Sequence, residues 1–314
     1  MFKEYRLQNE VKPVYFLIRR GFKIYPVYYF FLLVVVLIRL FSDENLRDPR
    51  LLYDVLFISN YLGSLWAHTW SLCVEEHFYF LLSAIVFVVI KKNKLADTRF
   101  MNRVFLVIAL LCLASRLTSY LVVQKYGTSI LFNQWAVYAQ THNRIDSLVA
   151  GVTIAYNLNF QPERFRFFFE KIRAYVPYVI GLLLLPFILK VSDKILVNSF
   201  LYISNYLLFA LLLLLVLFPR NPGKKSPHVV TTIKRIIGFV GINSYAIYLF
   251  DPIVTYHIMK PINSNNLFLQ AAFSITIGFL VTLLLEKRFL KIRDKYFPPR
   301  DRQSGQGGLI PRIQ

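Results

Sequence analysis

His68-Thr-Trp-Ser-Leu-Cys-Val-Glu-Glu-His-Phe-Tyr-Phe-Leu-Leu-Ser-Ala-Ile-Val-Phe-Val-Val-Ile90 decides the fold. From Trp70 to Ile90 it offers 21 residues of mostly apolar sequence, and a bilayer core of about 30 Å needs about 20 helical residues. The run reads as a membrane-spanning helix, yet it carries Glu75 and Glu76 side by side near its head. A charge at mid-membrane costs roughly 2.5–3.5 kcal/mol even on insertion-based scales. Carboxylates in such a place are expected to face a polar cavity.

The rest of the chain fits the same solvent. Its 314 residues are 56% hydrophobic and only 17% charged, with mean hydropathy +0.48; a soluble domain is nearer a quarter charged. Eight spans are expected: 24–41, 70–90, 104–123, 144–158, 174–190, 199–218, 236–256 and 267–285. The fold class is therefore all-α, a polytopic transmembrane helical bundle. Leu51–Leu62 is apolar but too short to cross. The net charge of +20 is a matter of topology rather than of nucleic-acid binding, because the cations collect in alternate loops. Segments 1–23, 91–103, 159–173, 219–235 and 286–314 hold 28 of the 37 Lys and Arg, and the segments opposite hold 5. By the positive-inside rule both termini are cytoplasmic. No cleavable signal peptide is read at the N-terminus. The bundle is expected to occupy 1–295, with a disordered tail over 296–314. Cys73 and Cys112 sit in apolar runs and read as buried small side chains, with neither a disulfide framework nor a metal-ligand pattern.

Four polar patches stand out. Arg19, Arg20 and Lys23 precede the first span; Arg20 and Lys23 share a helix face and suit a phosphate-bearing cofactor, although basic residues at this boundary are also ordinary anchors. In the opening stretch Ser71, Glu75 and Tyr79 fall on one face at four-residue spacing, and Glu76 points about 100° away. Helix geometry thus singles out Glu75 as a general base or as an orienter of a histidine, and Trp70 fits the membrane interface. His142-Asn-Arg144-Ile-Asp146 opens the fourth span. Arg144 and Asp146 cannot pair on a helix, so each needs a partner elsewhere or an aqueous edge. Ser244, Tyr248 and Asp251 share a face near an outer helix end. Arg116, inside the third span, also needs a polar partner. His68, His77 and His257 lie at outer ends of spans.

Together the patches resemble one family, in order. Arg-Arg-Gly-Phe-Lys-Ile-Tyr-Pro (19–26) is similar to its R-R-x-x-R-I-x-P, and His-Thr-Trp-Ser-Leu-Cys-Val-Glu-Glu-His-Phe-Tyr (68–79) to its H-x-W-S-L-x-V-E-E-Q-F-Y. Asn-Arg-Ile-Asp-Ser-Leu-Val-Ala-Gly (143–151) is similar to R-x-D-x-L-x-x-G, and Gly-Ile-Asn-Ser-Tyr-Ala-Ile-Tyr-Leu (241–249) to G-x-x-S-Y-x-x-Y-L-x-H. This is the acyltransferase 3 family of bacterial integral-membrane O-acyltransferases. The resemblance implies about ten spans, an acyl-CoA donor (usually acetyl-CoA) reached from the cytoplasm, and an outer-side glycan or lipid-linked sugar as acceptor, at the bacterial inner membrane.

Carried over residue by residue, Arg20 and Lys23, with Arg19, stand as donor-binding candidates, and Glu75, with Ser71 and Tyr79, as catalytic ones. His68, Trp70, Arg144, Asp146, Tyr248 and Asp251 stand as substrate-binding candidates. No metal is implied. Three departures go with the resemblance. The family's first two spans, which hold the histidine thought to be catalytic, have no counterpart here, which leaves open whether the chain is active alone. Lys23 replaces an arginine and loses its bidentate fork. Asp251 stands where the family has histidine. Two other classes compete: a transporter or flippase of a lipid-linked glycan, and a non-catalytic partner of another acyltransferase.

Overall fold

The computed structural model describes residues 1–43, 45–126, 134–188, 195–219, 228–263 and 266–298. Helix dominates, and there is no β-strand among the described residues. Residues 299–314, most of the expected tail, lie outside them, as do Lys190 and parts of several loops.

Five helices are long and apolar enough to cross a membrane: Pro13–Phe41, Ala67–Lys91, Thr98–Tyr126, Val230–Met259 and Leu267–Tyr296. They correspond to five of the eight expected spans. The other three also appear as helices, but shorter: Ile145–Phe160, Val176–Ile188 and, within Ile195–Leu217, the apolar part Leu201–Leu217. The expected span 174–190 is described only as far as Ile188, where Val176–Ile188 counts 13 residues. The first span starts well ahead of residue 24, at Pro13, which suits an N1 position because its missing N–H would be unpaired there anyway. Arg19, Arg20 and Lys23 are therefore inside a helix rather than in the segment before it. Leu51–Leu62 breaks into two short helices, Pro49–Val55 and Ser59–Leu62, with Phe57 in the left-handed region between them. It does not cross.

In chain order the α-helices are α1 (Phe2–Gln8), α2 (Pro13–Phe41), α3 (Pro49–Val55), α4 (Ser59–Leu62), α5 (Trp70–Lys91), α6 (Thr98–Tyr126), α7 (Gln134–Ala139), α8 (Ile145–Phe160), α9 (Pro162–Ile172), α10 (Val176–Ile188), α11 (Ile195–Leu217), α12 (His228–Ile253), α13 (Leu267–Val281) and α14 (Lys287–Tyr296). A π-helical stretch follows α12 (Val254–Met259), and another joins α13 to α14 (Thr282–Glu286).

The chain divides into two compact units. The first comprises 1–13, 57–63 and 70–223. Its core gathers Val74, Phe78, Leu82 and Val86 of α5, Met101, Phe105 and Cys112 of α6, and Val149 and Tyr156 of α8, with Phe2 of α1 edge-on to Tyr156. Tyr156 is anchored by its hydroxyl, which donates to the Leu95 carbonyl at 2.8 Å. Cys73 and Cys112 are buried and unbridged.

The second unit comprises 14–56, 64–69 and 224–314. Here α12 and α13 pack backbone to backbone. A Cβ on Gly278 would lie 2.7 Å from the Ile247 nitrogen and 2.8 Å from its Cα, so only glycine allows this approach. Small residues serve close helix contacts in membranes because no hydrophobic force drives helices together there. Phe31 of α2 meets Phe250 of α12 edge-on, 5.7 Å between centroids.

Candidate functional site

In the first unit, α8 opens on the Asn143-Arg144-Ile-Asp146 patch, and α6 brings Arg116 to it. The Arg116 side chain is fully buried. Its Nη2 donates to Asp146 Oδ2 at 2.6 Å and to the Asn143 carbonyl at 2.7 Å, and its Nε donates to the same carbonyl at 2.9 Å. The buried Asn143 is fixed in turn: Ser115 donates to its Oδ1 at 2.9 Å and its Nδ2 donates to Ser119 at 3.1 Å. The two partners that Arg116 and Asp146 each required are thus one another, 30 residues apart.

Arg144 is satisfied differently. Its guanidinium lies over Tyr202 at 4.3 Å, Tyr138 at 5.1 Å and Trp70 at 5.3 Å. Each ring offers its negative face, and such contacts strengthen where water is excluded. Trp70, which as an interfacial aromatic needed no partner, is one wall of this cage. Arg144, Asp146, Tyr202, Asn205 and Tyr206 line a cavity of about 290 Å³. Planar rings, a cation and a carboxylate beside one cavity can stack on an apolar ring face and hydrogen-bond hydroxyls.

Along α5, Ser71, Glu75 and Tyr79 keep their common face and are each half-buried. Burial separates the two carboxylates: Glu76 is only 4% exposed, on the buried stripe with Cys73 and Ser83, and Glu75 is the more accessible of the two. Nearby, His77 Nδ1 and Thr141 Oγ1 are 2.7 Å apart, and Asn60 donates to the same hydroxyl at 2.8 Å. His142 stacks on Tyr61 at 5.7 Å, and burial pushes its pKa below the ordinary histidine value.

In the second unit, His68 is held by aromatic edges: Tyr248 at 5.2 Å, Phe31 at 5.6 Å and Trp66 at 6.4 Å. Its Nε2 lies 3.2 Å from the Leu249 carbonyl, which fixes Nε2 as the protonated nitrogen of the neutral ring. The Tyr248 hydroxyl donates to the His68 carbonyl. Asp251 acts electrostatically on His68 and accepts from Ser274 Oγ at 2.7 Å and Gln270 Nε2 at 3.4 Å.

The segment carrying His68 is tied down by a residue that sequence reasoning missed. Asp54 is fully buried; its Oδ2 accepts from the Leu65 amide and its Oδ1 from the Thr69 hydroxyl, both at 2.9 Å. Its one sequence signal is an acidic residue inside the apolar stretch 51–62. Tyr138 and Tyr202 were also missed; among 20 tyrosines nothing local marks them.

Of the expected donor-binding cations, Arg19 is engaged by α14: it pairs with Asp294 at 3.2 Å and donates to the Phe297 carbonyl. Arg20 is half-buried one residue on, and Lys23 is exposed, within electrostatic range of Glu286.

A sequence model described as an acyltransferase domain, that of the acyltransferase 3 family, matches residues 12–287. No curated protein and no solved structure was found to match the chain.

Proposed function

The chain belongs to the acyltransferase 3 family and is a multi-pass membrane acyltransferase; from that premise we propose that it moves an acyl group, acetyl in the simplest case, from acyl-CoA to a hydroxyl of a cell-surface glycan or lipid-linked sugar at the bacterial inner membrane. The family match, spanning 276 of 314 residues, carries the reading.

In the proposed reaction the sugar hydroxyl attacks the thioester carbonyl. A C–O bond forms, the C–S bond breaks, the hydroxyl proton passes to a base, and CoA leaves as its thiolate. Arg20 and Lys23 are assigned to the CoA phosphates, where an arginine binds bidentately and a lysine as a point charge; Arg19 supports them by tying α2 to α14. Glu75 is assigned the base or its orientation, with Ser71 and Tyr79 on its face. Arg144, Asp146 and Trp70 of the first unit are assigned to the acceptor; His68, Tyr248 and Asp251 of the second unit keep the acceptor role that the family resemblance implies. Aromatic surfaces with hydrogen-bonding edges suit sugars, which are apolar on one face and hydroxylated at the rim.

Membranes carrying the chain, given labelled acetyl-CoA and envelope glycan, are expected to incorporate label, and Glu75→Gln to lose it. Incorporation unchanged by Glu75→Gln removes Glu75 from the chemistry. Incorporation no greater than in membranes without the chain refutes transfer by this chain on its own.

A further inference from the structure

Two more cavities lie along α6, α8, α9 and α11 in the first unit. The larger, about 570 Å³, is an apolar groove kept open by small side chains, Ala109, Ala150 and Ala210. It runs over Asp146–Asn157 on α8, about 17 Å of helix, close to the roughly 15 Å of one leaflet's hydrocarbon, and at one end it shares Asp146, Ala150, Tyr206 and Ala210 with the 290 Å³ cavity. At its basic end it shares Leu106, Phe165 and Phe168 with a cavity of about 460 Å³ lined by Arg99, Arg103 and Arg164.

Arg99 and Arg103 are one turn apart on α6, and Arg164 comes from the first turn of α9. No carboxylate lines the cavity, and among the described residues none of the three guanidiniums has an ion pair. Its floor is closed by reciprocal amide bonds between Asn102 and Asn157, at 2.9 and 3.1 Å. Basic residues at this end of the helices are expected from topology alone. Three of them converging on one cavity that opens into an apolar groove of leaflet depth is a more specific arrangement.

We propose that this is a binding site for an anionic glycerophospholipid, its phosphate held by Arg99, Arg103 and Arg164 and one acyl chain laid in the groove between α6, α8 and α11. Charge complementarity selects the headgroup and groove depth the tail. Basic clusters beside membrane helices recognise anionic headgroups in this way.

Native mass spectrometry of the full chain in neutral detergent, with added dioleoyl phosphatidylglycerol or dioleoyl phosphatidylcholine, tests it. Phosphatidylglycerol is expected to be retained preferentially. Arg99→Gln, Arg103→Gln and Arg164→Gln are each expected to weaken it by about fivefold, and Ala109→Phe with Ala210→Phe to weaken it with all three arginines intact. Equal retention of the two lipids overturns the proposal, as does a triple arginine variant that binds like the parent. Full displacement of the lipid by millimolar inorganic phosphate also overturns it, because the groove would then contribute nothing. If the triple variant fails to fold, the comparison of lipids on the parent chain and the Ala109→Phe, Ala210→Phe variant still decide.

Discussion

Removing the Asp146 carboxylate should cost the first unit several kcal/mol, and replacing both members of its ion pair should restore most of that loss. Arg116 is fully buried, with its Nη2 2.6 Å from Asp146 Oδ2. Asp146→Ala leaves that guanidinium with the Asn143 carbonyl, the Cys112 Sγ at 3.7 Å and the Tyr202 ring at 5.5 Å among its neighbours. Stranding one charge of a buried pair typically costs about 3–5 kcal/mol. The upper half of that range requires that Asn143 contribute little, and its carbonyl already accepts two bonds from the same guanidinium, so about 3 kcal/mol is expected. At about 2–4 °C per kcal/mol for a domain of this size, the apparent melting temperature in detergent should fall by roughly 6–12 °C. Asp146→Asn keeps an acceptor and should fall by less.

The double variant separates electrostatics from packing. Arg116→Met with Asp146→Leu replaces both charges by apolar side chains, a change that is often neutral or stabilising for buried pairs. It should melt within a few degrees of the parent, so the two substitutions must be strongly non-additive in a double-mutant cycle. Two results refute the reasoning: Asp146→Ala melting within about 2 °C of the parent, or a double variant as unstable as the sum of the singles.

Three further outcomes follow from single sites. Gly278→Ala should destabilise the second unit by about 1–3 kcal/mol, read as a lower melting temperature, because the new methyl meets Ile247 backbone that no side-chain rotation can move aside. Asp54→Ala strands the Leu65 amide and leaves the Thr69 hydroxyl only the Trp66 carbonyl at 2.9 Å; at about 1–3 kcal/mol for a buried group left unsatisfied, a loss of about 2 kcal/mol is expected, with protease cleavage appearing in 64–69. His142 has a folded pKa held below its unfolded value, so as pH falls through about 6.5 the unfolded chain takes up the proton first. Stability should be flat above that pH and decline below it, and His142→Gln should flatten the decline in melting scans between pH 7.5 and 5.

Periodicity and bilayer dimensions were enough to read the fold class, because a long apolar run in lipid can satisfy its backbone only as a helix. They were not enough to place helix ends. The basic face of α2 reads as a loop because lysine and arginine at a membrane edge look alike in loop and helix, and only the helical backbone from Pro13 onward reveals the difference. The candidate site was legible in its residue types but not in its pairings. That Arg116 must have a partner follows from the cost of a bare charge; that the partner is Asp146 depends on how α6 and α8 pack. Asp54 was hidden for the same reason: its role comes from a backbone amide 11 residues on, and an amide has no sequence signature. Local geometry also said nothing of which glutamate is covered, since the i, i+4 rule says which residues share a face but not which face its neighbours cover.

Pairing also limits what each polar group can do. Asp146 gives Oδ2 to Arg116 and Oδ1 to the Ser147 amide at 3.0 Å, two of about four acceptor positions on a carboxylate. What remains can accept hydroxyl hydrogens from the 290 Å³ cavity but does not suit Asp146 to carry a proton away, since protonation would weaken the bond that holds Arg116. Arg144, pressed among three rings, presents charge without needing a carboxylate, so it can bias an acceptor's orientation while Asp146 stays with Arg116. On this ground the proposed acceptor pocket positions, and proton removal is assigned to Glu75. A substitution such as Arg144→Gln should then raise the apparent KM for the glycan far more than it lowers kcat, whereas Glu75→Gln should do the reverse.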